Sequence, residues 1–199
     1  MPDQDIQSIT IESTEPLMRG WGRMDQYRVS HGLRDGTRQT VVREVYDHGN
    51  AAAVLLYAPA ERTVILTRQF RLPPHLNGDG AMMVEAPAGM LDGEAPEVAA
   101  RREAIEETGY EPSGLVLVFQ AYVSPGAVTE KCACFLGLYT PGQRVTEGGG
   151  LADEGEDIEV FEVSLDAALG MIEDGRIIDA KTILLLQALA LRLAAGTFG

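Results

Sequence analysis

Basic side chains are scarce: sixteen Lys and Arg stand against thirty Asp and Glu, a net charge of −14 at pH 7. A chain so acidic is repelled by nucleic acid and by anionic membrane surfaces, so neither is an expected partner. An anionic ligand would have to be brought in by cations. Cysteine is limited to Cys132 and Cys134, two apart in an apolar stretch. On one side of a strand a bridge between them would be strained, so they read as small core residues in a reducing compartment. His31, His48 and His75 have no metal-ligand spacing to those cysteines or to each other, which argues against zinc and leaves them without an assigned role. There is no G-x-G-x-x-G or Walker loop, which argues against the usual nucleotide folds. No basic segment precedes an apolar one at the N-terminus, so no secretory signal is readable. The most apolar run, "TILLLQALALRLAAG", is broken by Gln187 and Arg192 and is too short to span a bilayer. It reads as a packed C-terminal helix, and the cytoplasm is the expected compartment.

What is present fits one globular chain of ordinary size, with 45% hydrophobic and 23% charged residues. Strand-like segments recur in the middle: "DQYRVS", "VVREVYDH", "AAAVLLYAP", "TVILTRQFR", "MMVEAPA", "GLVLVFQAYVS", "KCACFLGLYT" and "DIEVFEVS". Three helices are expected. One runs from about Ala95 to Thr108, with Pro96 in its first turn and Gly109 as its stop. Another begins at the N-cap Ser164, and the last follows Asp179. Strands with helices at irregular spacing predict an α+β fold, a mixed β-sheet sandwiched between helices. The N-terminal dozen residues and the glycine-rich "EGGGLADEGED" are expected to be flexible.

The first helix carries Glu97, Glu103, Glu106 and Glu107. Like charges three or four apart repel by a few tenths of a kcal/mol per pair (about 0.2–0.5), so something should compensate them. Glu103 and Glu107 project from one face, one turn apart, with Glu106 beside them. Taken alone this is a solvated acidic face; as converging oxygen ligands it is a site for Mg²⁺ or Mn²⁺ shared with substrate phosphates.

The stretch "GMLDGE…RREAIEETGY" resembles the signature of the Nudix hydrolases, which act on nucleoside diphosphates linked to another group; Gly89, Arg102, Glu103, Glu106, Glu107 and Gly109 match it. The loop after Gly89 is one residue shorter than the common form, so the signature's first glutamate is either Glu94 or is replaced by Ala95. The resemblance runs from Trp21 to the C-terminal helix through "REVYDHGN", "RQFR", "SPGAVTE", "GLADEGEDIEV" and "DAKTILLLQAL". It is nearest the branch of ADP-ribose and GDP-mannose pyrophosphatases, and the short loop with Asn77 and Gly78 leans towards the latter.

That resemblance implies a Nudix-type α/β/α sandwich over 46–199, preceded by a β-rich segment, 1–45, that binds the base and forms a homodimer. It implies metal ligation by the Ala88 carbonyl, Glu103, Glu107 and Glu156, with Mg²⁺ or in its place Mn²⁺, two or three ions per site. Glu154 is the implied general base, and Arg102 and Glu106 are the other catalytic residues. Gly148, Gly149, Gly150 and Gly155 would give their loop the freedom of a lid. Substrate contacts would come from Trp21 by stacking, Arg43 and Glu44 near the base and ribose, Arg71 on phosphate, and Glu130 and Lys181 at the distal sugar or its phosphate. Arg68 has no clear match. The expected reaction is hydrolysis of a nucleoside diphosphate sugar, GDP-mannose or alternatively ADP-ribose. A non-catalytic nucleotide-sugar sensor and a purely structural metal protein are the rival readings.

Overall fold

The computed structural model describes residues 9–198, with the side chain of Glu154 outside the described set. The chain divides into two compact units. In the first, the described residues up to Asn50 form an antiparallel meander of β1 (Thr10–Arg19), β2 (Arg23–Gly32) and β3 (Arg38–Asp47). The segment Tyr122–Glu130 joins this unit, tied to Tyr46 by its backbone: Tyr46 N–H donates to the Ala127 carbonyl at 2.8 Å and Thr129 N–H to the Tyr46 carbonyl at 3.0 Å.

The strand β1 corrects the expectation of a flexible N-terminal dozen where that stretch is described: Thr10 and Ile11 pair with Ser30 and Val29, and residues 1–8 lie outside the described residues. It escapes sequence reading because every one of its side chains is exposed, so no alternation of apolar and polar residues marks it. Its register slips beside Pro16, which lacks the N–H a regular ladder needs.

The second unit is built on a mixed sheet ordered β10-β5-β4-β9-β8, from β4 (Ala51–Ala58), β5 (Thr63–Phe70), β8 (Ser113–Tyr122), β9 (Lys131–Leu138) and β10 (Glu159–Ser164). The segment "MMVEAPA", expected as one strand, is two: β6 (Met82–Glu85) pairs with β5, and β7 (Ala88–Met90) pairs with β4. β4 runs parallel to β9 and antiparallel to β5.

All eight residues of β4 are buried, which is why it reads as a continuous apolar run rather than an alternating one. Ala51, Ala53, Leu55 and Tyr57 face one core, completed by α3 (Leu165–Glu173) and α4 (Ala180–Ala194). Ala52, Val54, Leu56 and Ala58 face the other, against Ala99, Ala100 and Ala104 of the acidic helix. Helices on both faces make the expected α/β/α sandwich. Each leucine buried here contributes about 1.5–3 kcal/mol, and the alanines let the helix backbone approach β4 closely.

The caps are those read from sequence. Ser164 Oγ accepts the Ala167 N–H at 3.2 Å, and Asp179 Oδ2 accepts that of Thr182 at 2.9 Å. A short helix, α1 (Leu72–Asn77), was not among the three expected; Pro73 and Pro74 occupy its first turn, where a missing N–H costs nothing. Cys132 and Cys134 are buried and unbridged, their sulfurs 3.8 Å apart. No helix among the described residues is long and apolar enough to cross a membrane.

Candidate functional site

The acidic helix, α2 (Pro96–Glu103), widens into a π-helical turn over Ala104–Thr108 and stops at Gly109, whose φ of 79° lies in the left-handed region. Glu103 and Glu107 do not sit on a solvated face: both are buried, Glu107 to 2% exposure. Glu103's carboxylate lies against Gly89, where a Cβ would overlap it. Gly89 is in β7, so this contact places the Ala88 carbonyl's strand beside the carboxylate.

Arg102 braces the cluster. Its Nη1 donates to Glu103 Oε1 at 2.7 Å and Glu106 Oε2 at 3.0 Å, its Nε to Glu94 Oε2 at 2.9 Å, and its Nη2 to the Met90 carbonyl at 2.9 Å. Of the two residues left open, Glu94 meets the arginine, and Ala95 is the helix N-cap without a side-chain bond. With every guanidinium nitrogen engaged by protein, Arg102 orients carboxylates in this structure.

Burial, opposed by Arg102 and reinforced by Glu106 and Glu156, pushes the Glu103 carboxyl up to about 6. Burial and the adjacent Glu103 push Glu107 well above its ordinary value, with Arg71 pulling the other way. Among the described residues Glu107 Oε2 has no hydrogen-bond partner. An orphaned, buried carboxylate oxygen in a field of like charge fits a divalent cation, which would relieve both defects. Among the described residues no three Asp, Glu, His or Cys side chains close on one point as a cage.

Glu156 arrives from some fifty residues away (about 50) because its loop satisfies the end of the acidic helix. Gly149 and Gly150 N–H donate to the Glu107 and Glu106 carbonyls at 2.8 and 3.1 Å, and Val145 N–H to the Gly109 carbonyl at 2.7 Å. The close approach needs glycine: a Cβ at Gly148, itself at φ 70°, would strike the backbone of Thr108 and Gly109. Glu156 Oε2 accepts the Leu151 N–H at 2.9 Å, and its charge reaches both Glu103 and Glu107. Glu154 lies in the helical turn Ala152–Glu154; its side chain lies outside the described residues.

The cations come from two other elements. Arg71, at the N-cap of α1, donates from Nε to Glu85 Oε2 at 2.8 Å, and Glu107 is within its field. Lys181, in the first turn of α4, donates to Asp179 Oδ1 at 2.8 Å and lies 4.0 Å from Glu85 Oε1. Glu85 escaped the sequence reading, although a carboxylate inside the apolar "MMVEAPA" was a visible signal, and Asp179 was read only as a helix cap. Arg68 instead pairs with Glu159 at 2.7 Å and lines a cavity of about 570 Å³ with Met82, Phe161, Met171 and Arg176, which includes none of the residues above.

Trp21, Arg43, Glu44 and Glu130 belong to the first unit. Trp21 is 77% exposed and stacks on His48, ring centroids 5.0 Å apart and planes 19° from parallel. His48 also tilts against Tyr46, and its Nε2 is 3.4 Å from Glu130 Oε2. Thus His48, which had no role in the sequence reading, joins two residues that did. Arg43 and Glu44 are exposed on β3, opposite Tyr27 and Gln26 of β2.

Comparison with known proteins bears on this arrangement. The NUDIX domain family matches residues 47–186. A GDP-mannose pyrophosphatase of Yersinia pestis (strain Pestoides F) is 45% identical over 183 residues, 90% of this chain and 91% of that protein. One from Pectobacterium atrosepticum is 45% identical over 185 residues, covering 92% and 95% of the two chains. A crystal structure of an ADP compounds hydrolase superposes with a TM-score of 0.71 at 21% identity, over 98% of this chain and all of that one, and so shares the fold. With the box glutamates buried together on the sandwich helix and the match extending over most of its length, the chain belongs to the Nudix family.

Proposed function

We propose that this protein is a divalent-metal-dependent hydrolase of nucleoside diphosphate sugars, splitting GDP-mannose with water into GMP and mannose 1-phosphate. The observation that carries the reading is the orphaned buried oxygen of Glu107, within the field of Arg71 and of the Glu85 that Arg71 and Lys181 share. Relatives at 45% identity that bear the name GDP-mannose pyrophosphatase support the substrate.

Glu103, Glu107, Glu156 and the Ala88 carbonyl would hold the ions, Mg²⁺ with Mn²⁺ as a substitute. When bound, two or three such ions neutralise the diphosphate and acidify a water. Glu154 takes the proton of the attacking water, while Arg102 and Glu106 keep the ligands aimed. Arg71 and Lys181 clamp phosphate oxygens, a use for which arginine's planar fork is suited. Trp21 stacks the base, Arg43 and Glu44 read the base and ribose, and Glu130 contacts the distal sugar. The enzyme works in the cytoplasm as a homodimer through its N-terminal sheet, whose exposed Ile11, Leu17, Met18 and Val42 offer apolar surface.

³¹P NMR of a panel of nucleotide sugars with Mg²⁺ tests this directly. GMP and mannose 1-phosphate are expected from GDP-mannose. Faster cleavage of ADP-ribose would transfer the assignment to that substrate, and binding without cleavage would make the protein a sensor.

Two variants divide the loop's labour. Glu156→Gln should weaken Mn²⁺ binding by calorimetry, since a hard cation loses a charged oxygen. Glu154→Gln should keep metal affinity and lower kcat by about 10²–10⁴-fold, the usual contribution of a general base. The opposite pattern would exchange their roles.

Trp21→Ala should raise KM with little change in kcat, because stacking of about 1–3 kcal/mol per base acts alike on ground and transition states. The fluorescence of this single tryptophan should change on adding GMP. An unchanged spectrum at saturation would remove the base from Trp21.

A further inference from the structure

Glu85 is buried at the end of β6, with Arg71 hydrogen-bonded to one oxygen and Lys181 4.0 Å from the other. Its carbonyl accepts the Thr67 hydroxyl at 3.2 Å. The next backbone N–H, of Ala86, donates to Thr182 Oγ1 at 2.7 Å, and that hydroxyl donates to Asp179 Oδ2 at 2.7 Å. The strand is thereby pinned to the N-terminus of α4, the helix that carries Lys181.

The manner in which Glu85 holds Arg71 is informative. A carboxylate that serves only to neutralise an arginine commonly takes two nitrogens in a fork. Glu85 takes Nε alone, from the side, and among the described residues neither terminal nitrogen of Arg71 has a hydrogen-bond partner. Lys181 similarly gives one bond to Asp179 and stands 4.0 Å from the other oxygen of Glu85. Two cations from separate elements are steadied from behind, with donors to spare.

We propose that Glu85 is a positioning residue for the diphosphate: it orients Arg71 and Lys181 towards the phosphate oxygens. The inference rests on the activity proposed above and assigns to Glu85 a part in it.

Steady-state kinetics on GDP-mannose with Mg²⁺, for Glu85→Gln alone and in the Arg71→Ala/Lys181→Ala background, test it. Glu85→Gln should lower kcat/KM at least tenfold, mainly through KM, with thermal melting close to wild type. In the doubly substituted background the same change should cost less than twofold, because no cation remains to position. An equal loss in both backgrounds overturns the inference. Should Glu85→Gln fail to fold, Arg71→Lys decides: it keeps the charge but not the side-on Nε bond, so kcat/KM should again fall at least tenfold. Wild-type kinetics in that variant overturn the inference. A wild-type protein inert towards every nucleotide sugar overturns the activity and the inference together, whereas an active wild type with additive variants overturns the inference alone.

Discussion

Replacing Glu107 with glutamine should leave a folded protein whose turnover falls by about 10²-fold or more, the scale on which removal of one preorganised charge from a reaction centre is felt. The fold should survive because Glu107 contributes no hydrogen bond through Oε2 and sits beside the carboxylates of Glu103 and Glu156, so its charge opposes folding in the absence of metal. The pH dependence follows from the direction of the shifts. Both carboxyls are raised in the folded state, Glu103 to about 6 and Glu107 well above the model-compound 4.5. Above 4.5 the folded protein therefore retains protons that the unfolded chain has released, and stability falls as pH rises through the folded values.

Denaturant titration in EDTA at pH 5 and pH 7.5 should show wild-type protein losing stability between them. Glu107→Gln should lose less, both because one titrating group is gone and because Glu103 has lost its nearest repulsive neighbour. Mg²⁺ should reverse the order, since a cation bound only by the native state adds stability that the variant cannot gain. Undiminished turnover by the variant, or an identical pH response in EDTA, would remove Glu107 from the metal site.

Gly89→Ala is expected to be nearly as damaging to activity while touching no charge. A methyl group here would occupy the space of the Glu103 carboxylate. What it meets is the far end of a side chain, so the chain can yield by rotating Glu103 away rather than by unfolding. That rotation breaks the Arg102 Nη1 bond of 2.7 Å and moves one ligand away from Glu107. A misplacement of about 1 Å in a reacting assembly can cost 10²-fold in rate. The expected result is a melting temperature within a few degrees of wild type (about 5 °C), with weaker Mn²⁺ binding and turnover reduced by about 10²-fold. Wild-type metal affinity in Gly89→Ala would show that Glu103 does not need its place against β7.

Much of the fold was legible because its signals are local. The N-caps Ser164 and Asp179, Pro96 in the first turn of α2 and Gly109 at its end each act within one helical turn, and all four hold. β4 announced itself by burial on both faces. β1 did not, since pairing through its backbone alone leaves no trace in the pattern of its exposed side chains. α1 also went unread: it is a single short segment with no buried residue, and its prolines are compatible only with a first turn.

The site divides along the same line. Glu103 and Glu107 could be named from their four-residue spacing, because a helix places such residues on one face whatever surrounds it. Whether that face met water or the sandwich was not a local matter, and burial of both carboxylates is what turns charge repulsion into an affinity for cations. That Glu94, not Ala95, meets Arg102 was visible only in space. The meeting of Glu156 with the helix needed the loop carbonyl bonds at Glu106 and Glu107. The sequence by itself thus determined the three long helices, their caps and the acidic spacing, since all depend on neighbours within a turn. Only the tertiary structure decided that Glu85 stands between Arg71 and Lys181 and that His48 lies under Trp21. Those residues are distant along the chain, and their chemistry exists only through the distances and desolvation that packing imposes.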